Sequence, residues 1–276
     1  MKRVFFTDLD GTLLDHDTYD FSPALPALSA LKSLDIPLVL ASSKTGPELI
    51  AIRSALGFEH CPAIIENGAG ELSAGEVPTI DNRSYRQLRT ILNQLPVSLR
   101  NHFKGFGDMS LAEVVAVTGL PEDAAQLAQQ RAFTEPGIFS GTADDRWQFL
   151  AALAEHRVSA RDGGRFLTLS LARNNAHKEA HNNARNIANN NAHENAPLNA
   201  PTKADALRAI AKRMRATETI ALGDAPNDLE MLQAASIAVV VRNDHAPPMD
   251  NIDNAIYTDL PGPAGWNAAV LSLLAH

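Results

Sequence analysis

A single cysteine, Cys61, occurs in 276 residues, so no intramolecular disulfide can form. That excludes a disulfide-stapled secreted scaffold. Aromatic residues are scarce at 5%. Nowhere do about 18 apolar residues run together, so no segment is expected to span a bilayer as a helix. From Lys2 to Phe6 there are two basic residues and three apolar ones, too short a stretch for a secretory h-region. The expected compartment is the reducing cytoplasm. Basic residues are the minority, with 24 against 32 acids and a net charge of −8. This argues against a general nucleic-acid binder and against docking on an anionic membrane, while leaving room for a local basic pocket. Cys61 reads as a small packing residue near a strand start, with a reactive thiol as the alternative.

What remains is an ordinary globular composition, 45% hydrophobic and 20% charged. At roughly 100–200 residues per domain, the length allows one large domain or two smaller ones. Val4-Phe5-Phe6 is an apolar run ending in Thr7-Asp8 and reads as a buried strand. Ser22-Pro23 opens a helical pattern through Leu25, Leu28, Leu31 and Leu34. Ile36 to Ala41 is a second strand, Thr45 to Leu56 a helix stopped by Gly57, and Ala63 to Ile65 a third strand. Strands alternating with helices at this spacing predict a parallel sheet. After about Pro78 the rhythm changes. Helices are predicted over 84–95, 121–131 and 144–155, with short β-like runs at Phe133–Glu135, Val158–Ala160 and Arg165–Leu171. The α/β rhythm resumes with a helix from Thr202, strands at Thr219–Leu222 and Ile237–Val241, and helices at Asn227–Ala234 and 264–274.

One segment fits neither pattern. Alanine recurs at positions 172, 176, 180, 184, 188, 192, 196 and 200, with asparagine and histidine filling most of the gaps. A period of four drifts off the helical turn, and the segment has almost no apolar area to bury. It is expected to be a disordered surface insertion. Alternatives are a metal-binding helix using His177 and His181, or a self-association segment.

The chemistry-bearing residues lie elsewhere. Asp8-Leu9-Asp10-Gly11-Thr12 directly follows the first strand. Two carboxylates two residues apart, at the end of a strand where α/β folds bind ligands, need a cation to offset their repulsion. Gly223-Asp224-Ala225-Pro226-Asn227-Asp228 follows a later strand in the same way. Asp8, Asp10, Asp224 and Asp228 are therefore candidates to converge on one hard cation with oxygen ligands. Ser42-Ser43-Lys44, between a strand and a helix, suits an oxyanion. Lys203 opens a helix, where its charge opposes the helix dipole; that misfit suggests pairing with acids or a phosphate. Lys178, inside the repeat, is the rival for that role.

In order and spacing, these segments resemble the four motifs of the haloacid dehalogenase-like superfamily: Asp8-x-Asp10-Gly11-Thr12, Ser42, Lys203, and Gly223-Asp224-x-x-Asn227-Asp228. The large insert between the second and third is similar to the α+β cap of the Cof-type subgroup. Ser42-Ser43-Lys44-Thr45, Ile65-Glu66-Asn67-Gly68, Gly105-Phe106-Gly107-Asp108-Met109, Gly163-Gly164-Arg165-Phe166 and Phe133-Thr134-Glu135-Pro136 more closely resemble the mannosyl-3-phosphoglycerate phosphatase family. The departure is the repeat, which separates the last cap strand from Lys203.

The resemblance implies an α/β, Rossmann-like, doubly wound parallel-sheet core (1–82 and 201–276), an inserted α+β cap (83–171) and the repeat (172–200). It implies Asp8 as nucleophile and Asp10 as general acid and base, with Ser42 and Lys203 on the phosphate. Mg²⁺ would be held by Asp8, Asp10 and Asp224, supported by Asp228. Lys44, Glu66, Asn67, Asp108, Arg131 and Arg165 are then the candidate substrate contacts. The implied reaction is hydrolysis of mannosyl-3-phosphoglycerate, with the glucosyl analogue as a further candidate. A broader sugar-phosphate phosphatase, a phosphomutase and a non-enzymatic phospho-aspartate module remain the alternatives. The expected partner is a phosphorylated glycosylglycerate, with neither nucleic acid nor membrane involved. The oligomeric state stays open.

Overall fold

The first apolar run becomes β1 (Arg3–Thr7), the middle strand of a seven-stranded sheet. The computed structural model describes residues 2–75, 81–163, 165–172, 200–247, 249 and 252–275. In chain order, the first half of this sheet comprises β1, α1 (Leu25–Ser33), β2 (Leu38–Ala41), α2 (Gly46–Leu56), β3 (Ala63–Ile65) and β4 (Gly70–Leu72). A separate block follows: α3 (Arg83–Gln94), α4 (Val97–Arg100), β5 (Phe103–Gly105), α5 (Leu111–Thr118), α6 (Glu122–Ala128), β6 (Thr134–Phe139), α7 (Ala143–Glu155), β7 (Val158–Gly163) and β8 (Phe166–Leu171). The chain then returns through α8 (Lys203–Met214), β9 (Glu218–Gly223), α9 (Leu229–Ala234), β10 (Ile237–Arg242), β11 (Ile256–Pro261) and α10 (Gly262–Leu274).

The large sheet runs β11-β10-β9-β1-β2-β3-β4, parallel except for the antiparallel β3–β4 pair. Both of its faces are buried. Val4, Phe6, Val39, Ala41 and Ile64 pack with Leu207 and Ile210 of α8 and Met231 and Leu232 of α9. Phe5, Leu38 and Leu40 are equally buried and, by strand alternation, face the other way. Burial on both sides is why these strands read as continuous apolar runs. From β1 the sheet grows one way through β2 and β3 and the other way through β9 and β10. The order therefore reverses between β1 and β9, and ligand crevices of open α/β sheets lie at such a reversal, outside the strand C-termini.

The chain divides into two compact units. One comprises Met1–Lys44, Leu49–Pro78 and Thr202–His276, and the other Thr45–Glu48 and Thr79–Pro201. The second holds an antiparallel sheet in the order β5-β6-β8-β7. Leu88 and Leu92 of α3 and Phe149 and Leu153 of α7 pack with Phe103, Val158, Leu167 and Leu169 of this sheet. A smaller cluster joins Val114 of α5 to Ala125 and Ala128 of α6 through Phe106 and Met109. A doubly wound parallel sheet with a separate α+β unit is thus the observed architecture.

Several elements differ from the sequence expectation. β6 continues past Glu135 to Phe139, through Pro136. β5 pairs with residues 137–139 only, so the proline lies beyond that short partner and costs no bond to it. α4, β4, β5, α5 and β11 lie outside the elements expected from the sequence. Cys61 is buried and its thiol is pushed up by that burial, consistent with packing. Among the described residues no helix is long and apolar enough to cross a membrane. The repeat, including His177, His181 and Lys178, lies outside the described residues apart from Ala172 and Ala200.

Candidate active site

β1 and β9 are adjacent and in parallel register, Thr7 opposite Leu222. The Asp8 N–H donates to the Leu222 carbonyl at 2.9 Å. Asp8 and Asp224, each the first residue past its strand, therefore emerge side by side at the reversal of strand order. Two glycines make this crowding possible. A Cβ on Gly11, whose φ is +83°, would lie 2.6 Å from Asn243 Nδ2 and 2.8 Å from Asp224 Oδ2. A Cβ on Gly223 would lie 2.5 Å from the Asp228 Cβ.

Lys203 ties the acids together. Its Nζ donates to Asp8 Oδ1 at 2.6 Å and to Asp228 Oδ1 at 2.7 Å. Exposure is 6% for Asp8, 3% for Lys203 and zero for Asp228. Thr202 caps α8, accepting the Asp205 N–H at 3.1 Å, which fixes where the lysine begins. Asp228 Oδ2 accepts the N–H groups of Asp224 and Ala225, at 3.3 and 3.4 Å. Asp224 is held by Thr12, which donates to Oδ1, and by Asn243, which donates to Oδ2 at 2.6 Å.

The electrostatics follow from burial. Asp8 is pushed up to about 7 by burial, then by the neighbouring Asp228, against the pull of Lys203. Asp224 rises to about 6 through burial and the Asp8 charge. Burial also raises Asp228. Lys203 is pulled down by burial but raised further by Asp228 and Asp8, and stays charged. Asp8, Asp224 and Asp228 each present an oxygen within 4.8 Å of the others. Buried, mutually repelling carboxylates form an all-oxygen donor set that fits a hard divalent cation.

Asp10 stands apart from that trio. Its Oδ2 pairs with Lys44 Nζ at 2.9 Å, while Oδ1 is buried without a hydrogen-bond partner. Ser42, 1% exposed, follows β2, and its Oγ accepts the Lys44 N–H at 3.2 Å. Glu66, Asn67 and Gly68 form a turn with φ of +49°, +58° and +95°. The Glu66 N–H donates to the Lys44 carbonyl at 3.0 Å and the Asn67 N–H to the Ser42 carbonyl at 2.9 Å. A Cβ on Gly68 would lie 2.2 Å from the Thr202 carbonyl and 2.6 Å from the Lys203 nitrogen. The turn thus braces Ser42, Lys44 and Lys203 at once. Positive φ at Glu66 and Asn67 stores strain of the kind that clusters at functional sites. Asn67 Oδ1 is buried and unpartnered.

The remaining candidates lie in the second unit. Asp108 accepts from Arg89 at 2.6 Å, from Arg100 at 2.7 Å and from the Gly105 N–H at 2.9 Å. Burial raises its carboxyl, but the two guanidinium groups outweigh this and hold it low. Gly105 and Gly107 leave room for Glu135, Tyr85 and Arg89. Arg131 is buried and donates to Thr134 Oγ1 at 2.6 Å. Arg165 is exposed and donates to the Thr118 carbonyl at 3.2 Å.

Sequence reasoning missed three contributors. Asn243 follows β10 directly, so the rule that found Asp8 and Asp224 at strand ends would have found it. Tyr19 places its ring 5.1 Å from Lys44 Nζ. Trp266 of α10, fully buried, donates from Nε1 to Thr7 Oγ1 at 3.0 Å, and Thr7 donates to the Asp8 carbonyl at 2.7 Å. No local pattern links residue 266 to residue 7.

A family model described as haloacid dehalogenase-like hydrolase matches residues 5–98 and 198–254. A glucosyl-3-phosphoglycerate/mannosyl-3-phosphoglycerate phosphatase of Persephonella marina is 32% identical, over 98% of this chain and 97% of its own length. A phosphatase of the same name from Methanococcoides burtonii is 30% identical, over 99% and 98%. A solved haloacid dehalogenase-like hydrolase from Bacteroides thetaiotaomicron superposes with a TM-score of 0.61, covering 99% of this chain and all of its own, at 16% identity.

Proposed function

Because the chain belongs to the haloacid dehalogenase-like hydrolase family and is a phosphoric monoester hydrolase, we propose that it hydrolyses mannosyl-3-phosphoglycerate in the cytoplasm with Mg²⁺. Glucosyl-3-phosphoglycerate is proposed as a second substrate. The observation that carries the chemistry is the buried Asp8–Lys203–Asp228 cluster beside Asp224. Full-length similarity to relatives with both substrates in their names supports the substrate.

Asp8 is the nucleophile in this reading. Its Oδ1 is engaged by Lys203, which leaves Oδ2 to attack phosphorus. As the P–O ester bond breaks, Asp10 gives its proton to the departing glycerate oxygen. A water then attacks the aspartyl-phosphate, Asp10 takes that water's proton, and the bond from Asp8 to phosphorus breaks to release phosphate. The unpartnered Oδ1 of Asp10 is the atom available for both transfers. Ser42 and Lys203 hold phosphoryl oxygens. Asp8, Asp224 and the Asp10 main-chain carbonyl, supported by Asp228, would hold a divalent cation, which would neutralise the phosphoryl charge. Lys44, Glu66 and Asn67 lie in the same unit as these residues and are proposed contacts for the organic part of the substrate. Arg131 and Arg165 supply guanidinium groups of the kind a glycerate carboxylate takes, and Asp108 offers a hydroxyl acceptor. The proposed division remains a core of 1–82 and 201–276 and a cap of 83–171.

Initial rates of Mg²⁺-dependent phosphate release from the mannosyl and glucosyl substrates, set against mannose-6-phosphate, test the reading. The two phosphoglycerates are expected to be strongly preferred. Comparable rates on all three would replace it with a broad sugar-phosphate phosphatase. Asp8→Asn is expected to abolish turnover while leaving the fold intact, and substantial activity in that variant would remove Asp8 from the mechanism.

A further inference from the structure

Away from the carboxylate cluster, two loops bring histidine and aspartate together. His16 and Asp17 follow the segment carrying Asp10 and Thr12, and His245 follows β10. The His16 and His245 rings stack with centroids 4.4 Å apart and planes 11° from parallel. His245 Nε2 lies 3.8 Å from Asp17 Oδ2. One ligand-capable atom from each of the three residues falls within 4.8 Å of the others.

We propose that His16, Asp17 and His245 form a second divalent-cation site, specific for a borderline ion of the zinc class. The donor set separates it from the first site. Buried carboxylate oxygens suit a hard cation, whereas two imidazole nitrogens and one carboxylate suit zinc and its neighbours. Bonds of about 2.0–2.2 Å to a tetrahedral zinc put its donors about 3.3–3.6 Å apart. The His245–Asp17 pair is already close to that spacing. His16, Asp17 and His245 are all exposed, so the two rings can rotate out of their stack to turn a nitrogen each toward the carboxylate, and solvent supplies the fourth ligand.

Both loops are held from behind. Asp15 Oδ1 accepts the N–H groups of Asp17 and Thr18 at 3.2 and 2.9 Å, and the Asp15 N–H donates to the Asp20 carbonyl at 2.9 Å. The His245 N–H donates to Asn243 Oδ1 at 2.8 Å, and Asn243 in turn holds Asp224. A cation here staples the loop after β1 to the loop after β10, and so fixes Asn243 against Asp224 from outside. The inference does not rest on the phosphatase reading; it needs only these three residues.

The test is calorimetric titration of the full chain with Zn²⁺ in saturating Mg²⁺, comparing wild type with His16→Ala/His245→Ala. Asp17→Asn is the third protein, and circular dichroism checks that each is folded. The chain has 9 histidines, so the comparison is of uptake between variants. Wild type is expected to take up one more Zn²⁺ per chain than the double variant, with Asp17→Asn binding that ion more weakly. Bound Co²⁺ is expected to show a visible band in wild type that the double variant lacks. Equal Zn²⁺ uptake by wild type and a folded double variant would overturn the proposal. So would identical Co²⁺ spectra.

Discussion

Replacing Lys203 with methionine tests the central electrostatic claim. Methionine keeps an apolar stem of similar reach, so the change removes the ammonium and opens little space. Two carboxylates, on Asp8 and Asp228, then lose donors at 2.6 and 2.7 Å while remaining almost fully buried. Breaking a buried ion pair from one side costs about 3–5 kcal/mol. The cost has a pH signature. Asp8 titrates at about 7 in the folded chain against 3.8 ordinarily. Between those values the folded state holds a proton that the unfolded state has lost, so its contribution to stability falls as pH rises. Without Lys203 the one attractive partner is gone, and Asp8 and Asp228 move higher still. The deficit of the variant is therefore expected to be larger at pH 8 than at pH 5, as a neutral carboxyl needs no counter-charge. Urea unfolding in the presence of chelator, followed by Trp266 fluorescence in a Trp147→Phe background, measures it. A loss of the same size at pH 8 and pH 5 would refute the reasoning. A loss below about 1 kcal/mol at pH 8 would also do so, because it would match an exposed pair.

The other expectations concern the same residues. Since protons on Asp8 (about 7) and Asp224 (about 6) must leave before a cation binds, Mg²⁺ affinity measured by calorimetry is expected to be roughly a hundredfold weaker at pH 5.5 than at pH 8; a change under about fivefold would contradict those values. Gly68→Ala is expected to cost about 2 kcal/mol in unfolding and most of the turnover, because its Cβ meets the Thr202 carbonyl. Gly75→Ala has a similar φ of +88° with nothing within 4 Å, so it is expected to cost about 1 kcal/mol and leave turnover unchanged. Thr7→Val and Trp266→Phe break the same relay to Asp8; each is expected to lower kcat with KM held, the double variant to add nothing further, and Thr7→Ser to restore the rate.

The strands that carry the site were legible because each is a fully buried apolar run followed at once by polar chemistry. Val4 to Phe6 before Asp8, and Ile220 to Leu222 before Asp224, stand out for that reason. What the sequence could not supply was adjacency. That β1 lies against β9, 215 positions away, follows from sheet order and not from any local pattern. The missed elements fail for different reasons. β4 and β5 have three residues each, too few for a period. β11 leaves Ile256, Tyr257 and Leu260 exposed, so it lacks the alternation that marks a strand. α5 did advertise itself, with the Ser110–Glu113 capping box and Gly119 at φ +78°, and was legible by the ordinary start and stop signals. The Glu66–Asn67–Gly68 turn was readable as a motif but not as a brace. Nothing in a glutamate's own preference puts it at φ +49°; the surrounding hydrogen bonds do.

Lys203 shows how a local misfit becomes intelligible once the surroundings are known. At the first residue of α8 its charge opposes the helix dipole, an interaction of about 0.3–1 kcal/mol, and its burial costs several more. Neither would be tolerated by a lysine with one surface partner. Two buried carboxylates at hydrogen-bond distance reverse the balance. Yet Asp8, Asp224 and Asp228 carry three negative charges against one ammonium, which leaves two uncompensated on almost fully buried side chains. Protons make up part of the difference, which is why Asp8 and Asp224 titrate so far above ordinary aspartates. A single divalent cation would make up all of it, and would release those protons in doing so. The charge count of the cluster thus calls for the same ion as the proposed chemistry, independently of any substrate.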